Sequence, residues 1–125
     1  MQLHPKITGM SPLLIVTDIN RSVAFYTTIL GFKIDFLYED FYVGIIKDVW
    51  SIHLKHGTPN SAERSNRRRW EDVDLLFTIE NINTFYQFLN QTDVDVVQPL
   101  RKMDYGTEFY IADPDGYIIA FVEQA

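Results

Sequence analysis

Thr107-Glu-Phe-Tyr-Ile-Ala-Asp113-Pro114-Asp115-Gly116-Tyr-Ile-Ile-Ala-Phe-Val-Glu123 is the stretch whose reading decides the fold. Two apolar, strand-like runs flank Asp-Pro-Asp-Gly. Proline presets φ at the second turn position, and the aspartate before it can bond the backbone ahead. The closing glycine can take positive φ. The stretch therefore reads as a hairpin, and the rest of the chain as what that hairpin pairs with.

Working back from the hairpin, the same order of elements occurs twice. Pro12–Thr17 is a short β-branched run, read as a strand buried on both faces. Asp18 can cap a helix with Ile19, Val23, Tyr26 and Leu30 on one face, and Gly31 stands where such a helix ends. Phe32–Tyr38 alternates as a half-buried strand, and Phe41–Ile46 and Val49–Lys55 follow as two more. The second set begins with a strand over Val73–Ile79. Glu80 or Asn81 can cap a helix whose face carries Ile82, Phe85, Tyr86 and Leu89. Val94–Leu100 is a strand that Pro99 assigns to an edge or an end. Lys102–Gly106 is a loop, and the hairpin closes the set. A shift of 63 residues carries Ser11 onto Asp74, Val16 onto Ile79, Ile19 onto Ile82 and Phe25 onto Phe88. Between the two sets, Gly57–Arg69 has Gly, Pro, Asn, Ser and four arginines without apolar period, and reads as a linker. The expected organisation is one structural domain made of a β-α-β-β-β module over residues 11–56, a linker over 57–70 and a second such module over 71–124. Each module leaves one sheet face uncovered. Together they can form a curled, partly open mixed-sheet barrel of α+β class, with helices outside and a cleft inside. Whether the modules pair within one chain or swap between chains is open at this stage.

Composition bounds the function. There are no cysteines among the 125 residues, which removes disulfide scaffolds, thiolate zinc sites and thiol catalysis. The net charge of −6 disfavours nucleic acid as a partner. Met1 to Lys6 lacks an apolar signal core and forms part of a loose lead-in over residues 1–10. No run is long enough to cross a membrane, so a cytoplasmic protein is expected. There is no phosphate-cradling glycine loop, nucleophile elbow or His-Glu-x-x-His motif.

Val16-Thr-Asp18-Ile-Asn-Arg-Ser-Val-Ala-Phe25-Tyr26-Thr-Thr-Ile-Leu30-Gly31-Phe32 and Phe109-Tyr110-Ile-Ala-Asp113-Pro114-Asp115-Gly116 resemble the vicinal oxygen chelate superfamily. That group includes glyoxalase I, bleomycin-resistance proteins, fosfomycin-resistance enzymes and extradiol dioxygenases. The resemblance covers roughly Pro12 to Glu123. It implies four metal-ligand positions, which fall here on Ser11, His53, Asp74 and Ala120, where the family's enzymes carry His, Glu or Gln. Ala120 has no donor atom and a neutral serine hydroxyl is a poor one, so only His53 and Asp74 remain as weak candidates for a divalent metal. The resemblance therefore points to the metal-free branch, typified by bleomycin-resistance proteins: homodimers that bind a small molecule in an aromatic-lined cleft, without a cofactor. The alternatives are a metal-dependent lyase, isomerase or dioxygenase, and a dimer scaffold whose cleft has filled in.

Strand alternation sorts the site candidates by face. Ser51, His53 and Lys55 share one face, while Trp50, Ile52 and Leu54 point to the helices. Asp74, Leu76 and Thr78 share a face, as do Ile118, Ala120 and Val122, and as do Glu108 and Tyr110. His53 can bind a ligand carboxylate or act as a base, and Asp74 can pair with it across the sheet. Tyr110 stands three before Asp113, where family members place a pocket tyrosine. Ser11, Trp70 and Tyr105 complete the expected ligand-binding set. Arg67-Arg68-Arg69 beside Trp70 is the basic cluster.

Overall fold

The computed structural model describes residues 3–125. The part of the expected lead-in at residues 1 and 2 lies outside the described residues; the rest of it, up to residue 10, has no regular structure. The chain divides after Thr58 into two compact units.

The first unit is built from β1 (Leu13–Val16), α1 (Ile19–Ala24), β2 (Lys33–Tyr38), β3 (Tyr42–Lys47) and β4 (Trp50–His56). Its sheet has the order β1-β4-β3-β2, with β1 parallel to β4 and the rest antiparallel. Asp18 caps α1 as expected, accepting the Arg21 N–H at 3.1 Å. The helix then loosens into a π-helical turn over Phe25–Ile29. Tyr26, Leu30 and Phe32 still reach the core, beside Val16, Val43, Ile45, Ile52 and Leu54.

Three expectations need correction here. β1 is not buried on both faces: Leu14 and Val16 are buried while Leu13 is exposed, because α1 covers only one side of the sheet. β2 is exposed along its whole length rather than half-buried, because it is the edge strand and α1 packs over β3 and β4. Trp50 is likewise exposed, and only Ile52 and Leu54 of its face enter the core.

The second unit holds α2 (Ser61–Arg69), β5 (Leu75–Thr78), α3 (Ile82–Leu89), β6 (Asp95–Met103), β7 (Gly106–Ala112) and β8 (Ile118–Gln124). Its sheet repeats the first topology as β5-β8-β7-β6, again with one parallel pair. Both sheets are mixed, four-stranded and open. β6 is an edge strand, as Pro99 implied, and it runs on to Met103, so the expected loop shrinks to Asp104-Tyr105.

The hairpin forms by the mechanism its residues suggested. The Asp113 carboxylate accepts the N–H groups of Asp115 and Tyr117, both at 2.9 Å. Gly116 has φ +91°, a conformation that side chains resist. On the helix side of the sheet, Phe109 stacks on Phe121 at 5.1 Å, and Phe121 on Phe77 at 5.4 Å. Phe85 of α3 packs edge-on against Phe121 at 5.1 Å. Neither Glu80 nor the Asn81 side chain caps α3. Asn81 sits at the cap position, and the Glu123 carboxylate reaches from β8 to take the N–H groups of Asn81 and Ile82, at 3.2 and 3.0 Å.

The segment read as a linker contains α2. The helix buries no residue, so it has no apolar period to read. It is held by caps and charge instead. Asn60 accepts the Glu63 N–H at 3.0 Å, and Arg67, Arg68 and Arg69 fill the last turn, where the helix dipole favours cations. Arg68 pairs through both terminal nitrogens with Asp95 of β6. That bond and the Arg68 charge outweigh burial and hold the Asp95 carboxyl below its ordinary range.

Candidate functional site

On the face of the second sheet away from Phe109 and Phe121 lies a cavity of about 590 Å³. Period-two alternation builds it. β5 and the residues before it supply Val73, Asp74, Leu76 and Thr78, β7 supplies Glu108 and Tyr110, and β8 supplies Ala120, Val122 and Gln124. Tyr105 joins from the β6–β7 turn. Three expected site residues, Asp74, Tyr105 and Tyr110, therefore share one wall.

The polar centre of this cavity is Glu108, which the sequence reading placed on Tyr110's face but did not single out. Its side chain is only 3% exposed. It accepts from Tyr105 Oη at 2.5 Å, from Arg101 Nε at 2.7 Å and from Tyr110 Oη at 3.2 Å. Arg101 Nη2 lies 2.6 Å from the same carboxylate and 3.5 Å from the Tyr110 hydroxyl. Burial pushes the Glu108 carboxyl up. The bonds from Tyr105 and Arg101, the Arg101 charge and the Tyr110 bond outweigh it, so the group ends below its ordinary range and is ionised at neutral pH. The Tyr105 phenol is pushed up to about 12, first by its bond to Glu108. Tyr110 is raised too, by burial and by the Glu108 charge. The available signal was a carboxylate standing at an inward-facing strand position, two residues from the expected pocket tyrosine.

Asp74 stands just before β5 and is bound from three sides. Arg64 Nη1 donates to Oδ2 at 2.9 Å, and the Ile118 N–H to the same oxygen at 2.8 Å. Arg67 Nε lies 3.1 Å from Oδ1 but off the N–H direction, a charge contact without a hydrogen bond. Arg67 also donates through Nη2 to the Val73 carbonyl at 2.9 Å. The Arg64 guanidinium lies over the Tyr117 ring, 4.4 Å from its centroid.

Ser11 and His53 belong to the first unit. There Leu13 pairs with His53, as Leu76 pairs with Ala120 in the second. The offset that carries Ser11 to Asp74 also carries Leu13 to Leu76. The strand register therefore makes His53 and Ala120 equivalent positions of the two sheets. Gly44 opposite His53 corresponds to Tyr110 opposite Ala120. A Cβ on Gly44 would come within 2.1 Å of the Phe36 ring, so the absence of a side chain lets that ring lie against β3. Phe36 meets His53 edge-on at 5.2 Å, and Tyr42 Oη lies 2.7 Å from His53 Nδ1. The Ser11 and Ser51 hydroxyls are hydrogen-bonded. Within its own unit Asp74 is engaged by Arg64 and Arg67, and within its own unit His53 is engaged by Tyr42.

Trp70 follows α2, is 69% exposed and carries the Arg69 guanidinium over its ring; it is not among the residues lining the cavity. Among the described residues, no three His, Cys, Asp or Glu side chains gather in a metal-binding group, and no helix is long and apolar enough to cross a membrane.

Solved structures of the same fold are numerous. UcmS2 superposes with a TM-score of 0.76 at 21% identity, covering 98% of this chain and 100% of its own. The bleomycin-binding protein of bleomycin-producing Streptomyces verticillus, complexed with copper(II)-bleomycin, gives 0.71 at 19%, covering 98% and 100%. The genomically encoded fosfomycin resistance protein FosX of Listeria monocytogenes gives 0.73 at 18%, covering 96% of both chains. No curated protein sequence matches this chain. The family model of the glyoxalase, bleomycin resistance protein and dioxygenase superfamily matches residues 9–121, nearly the whole of both units. With that match, and with two open four-stranded sheets each built in β-α-β-β-β order, the chain belongs to the Glyoxalase/Bleomycin resistance protein/Dioxygenase superfamily.

Proposed function

We propose that this chain is a metal-free small-molecule-binding protein of the glyoxalase/bleomycin-resistance type, a cytoplasmic homodimer that sequesters an apolar or aromatic ligand. The observation that carries the reading is the cavity of about 590 Å³, a ligand-sized space whose aspartate is already engaged. A metal needs donor atoms that are free to turn toward it. Asp74 spends its oxygens on Arg64, Arg67 and the Ile118 N–H, Ala120 has no donor, and the Ser11 hydroxyl is bonded to Ser51. Of the four expected positions this leaves the His53 ring, whose Nδ1 lies against Tyr42 Oη, and one imidazole does not make a site for a divalent ion. The bleomycin-binding protein of the same fold, complexed with copper(II)-bleomycin, offers a precedent for ligand binding. The exposed apolar side chains of β2 and its turn, Ile34, Phe36, Leu37, Tyr38 and Phe41, support association of two copies.

The reading is tested by elemental analysis of the purified protein together with a thermal-shift screen of small aromatic compounds. A ligand specific for the folded state raises the melting temperature. A stoichiometric divalent ion would favour the metal-dependent lyase, isomerase or dioxygenase. Absence of any ligand across the screen would favour the filled scaffold.

A further inference from the structure

We infer that the cavity of the second unit selects a ligand whose head group donates hydrogen bonds, a protonated amine carried on an apolar or aromatic body, and that Glu108 is the positioning residue that sets this preference. The inference rests on the binding reading above and names the chemistry of its ligand.

The argument is one of donors and acceptors. An ionised carboxylate can only accept. Tyr105 and Tyr110, both within hydrogen-bond distance of Glu108, must therefore point their hydroxyl protons at it. What each phenol turns outward is oxygen lone pairs. The guanidinium groups nearby are turned to other partners. Arg101 binds Glu108 through Nε and meets the Tyr110 hydroxyl through Nη2, Arg64 donates to Asp74, and Arg67 donates to the Val73 carbonyl, its Nε making only a charge contact with Asp74. None of these guanidinium groups, and no lysine, lines the cavity. The polar wall is thus oxygen, with Leu76 and Val122 beside it as the apolar part. Thr78 and Gln124 can serve as donor or acceptor and favour neither sign.

A carboxylate or phosphate head group placed here would face lone pairs and lose its water without replacement, whereas an ammonium would find acceptors. Glu108 enforces the arrangement. A glutamine there would offer an N–H₂ of its own and release one phenol to turn its proton outward.

Isothermal titration with phenethylamine and hydrocinnamate, which share ring and chain length but differ in head group, tests this at neutral pH. High salt screens the general attraction of an acidic protein for cations. The amine is expected to bind at least about tenfold more tightly than the carboxylate. A smaller ratio, or a reversed one, overturns the inference while leaving the binding reading intact; binding of neither probe removes both. Glu108→Gln should bring the ratio toward one. Should that variant fail to fold, Tyr105→Phe carries the test, since the residue is 52% exposed and loses only its hydroxyl. It should weaken the amine several-fold and hydrocinnamate less or not at all, so that the ratio falls. A wild-type ratio in both variants, or in Tyr105→Phe alone if it is the one that folds, rules out the role given to Glu108.

Discussion

Arg64, on a helix with no buried residue, donates at 2.9 Å to Asp74, the residue that the resemblance offered as a weak metal candidate. The two side chains are 12% and 13% exposed, so their charges are largely withdrawn from water. The pair fastens α2 to the start of β5 and takes from Asp74 the freedom a ligand atom needs.

Removing one side of such a pair leaves the other uncompensated. Asp74→Ala is expected to cost about 3 kcal/mol, because Arg64 and the Ile118 N–H lose their acceptor and Arg67 loses its counter-charge. Asp74→Asn should cost less, since it keeps one acceptor oxygen. Urea unfolding of the two variants checks the order, and equal costs would show that the retained oxygen contributes nothing and that the charge carries the whole effect.

Glu123 supplies the cap that α3 lacks at Asn81. Truncating it to alanine should cost about 1 kcal/mol, the usual range for a lost N-cap. Hydrogen exchange at Asn81 and Ile82 should accelerate more than at Leu89. Uniform acceleration would mean that the carboxylate acts on the whole unit and not on the helix end.

Stability should depend on the protonation of Glu108 in a definite direction. Its carboxyl is held below the ordinary 4.5 in the folded chain, so the unfolded chain binds the proton more tightly. The contribution is complete above 4.5 and is lost as pH falls below that through the folded value. Asp95 is shifted the same way by Arg68. The test is therefore a difference: Glu108→Gln should flatten part of the acid decline in melting temperature and leave the Asp95 part. An unchanged acid profile would place Glu108 outside the linkage. On the alkaline side the sign reverses at Tyr105. Its folded value of about 12 exceeds the ordinary 10, so its contribution is present below 10 and is lost as pH rises toward 12. Ultraviolet titration of tyrosinate in wild type and Tyr105→Phe measures it.

Gly44 and Phe36 give a packing test in the first unit. A methyl group at Gly44 would sit 2.1 Å from the ring, and overpacking of that kind costs about 1–3 kcal/mol. Phe36 is 39% exposed, so the ring can swing outward, which favours the lower end. Ring-current shifts on His53 should change in Gly44→Ala, and their constancy would mean that the backbone moves in place of the ring.

Local chemistry was enough for the repeated topology, the Asp113 turn, the Asp18 cap and the edge position of β6, because each rests on residues adjacent in sequence or on a two- or three-residue period. The faces of His53, Asp74, Tyr110 and Ala120 followed from the same alternation, once the resemblance had said where to look. α2 stayed hidden because apolar period was the signal sought and the helix has none. Asn60-x-x-Glu63 and the arginine-rich last turn were its legible marks.

What only the tertiary structure decided was partnership. Asp74 meets Arg64 across a helix that the sequence disguised as linker, Glu123 caps α3 from a strand more than half a unit away in sequence, and Glu108 gathers Tyr105, Tyr110 and Arg101 from two strands and a turn. A side chain's type and spacing determine which face it takes, since that depends on the backbone alone. Which charge neutralises it depends on elements brought together by folding, and that determined whether Asp74 and Glu108 face a ligand free or already bound.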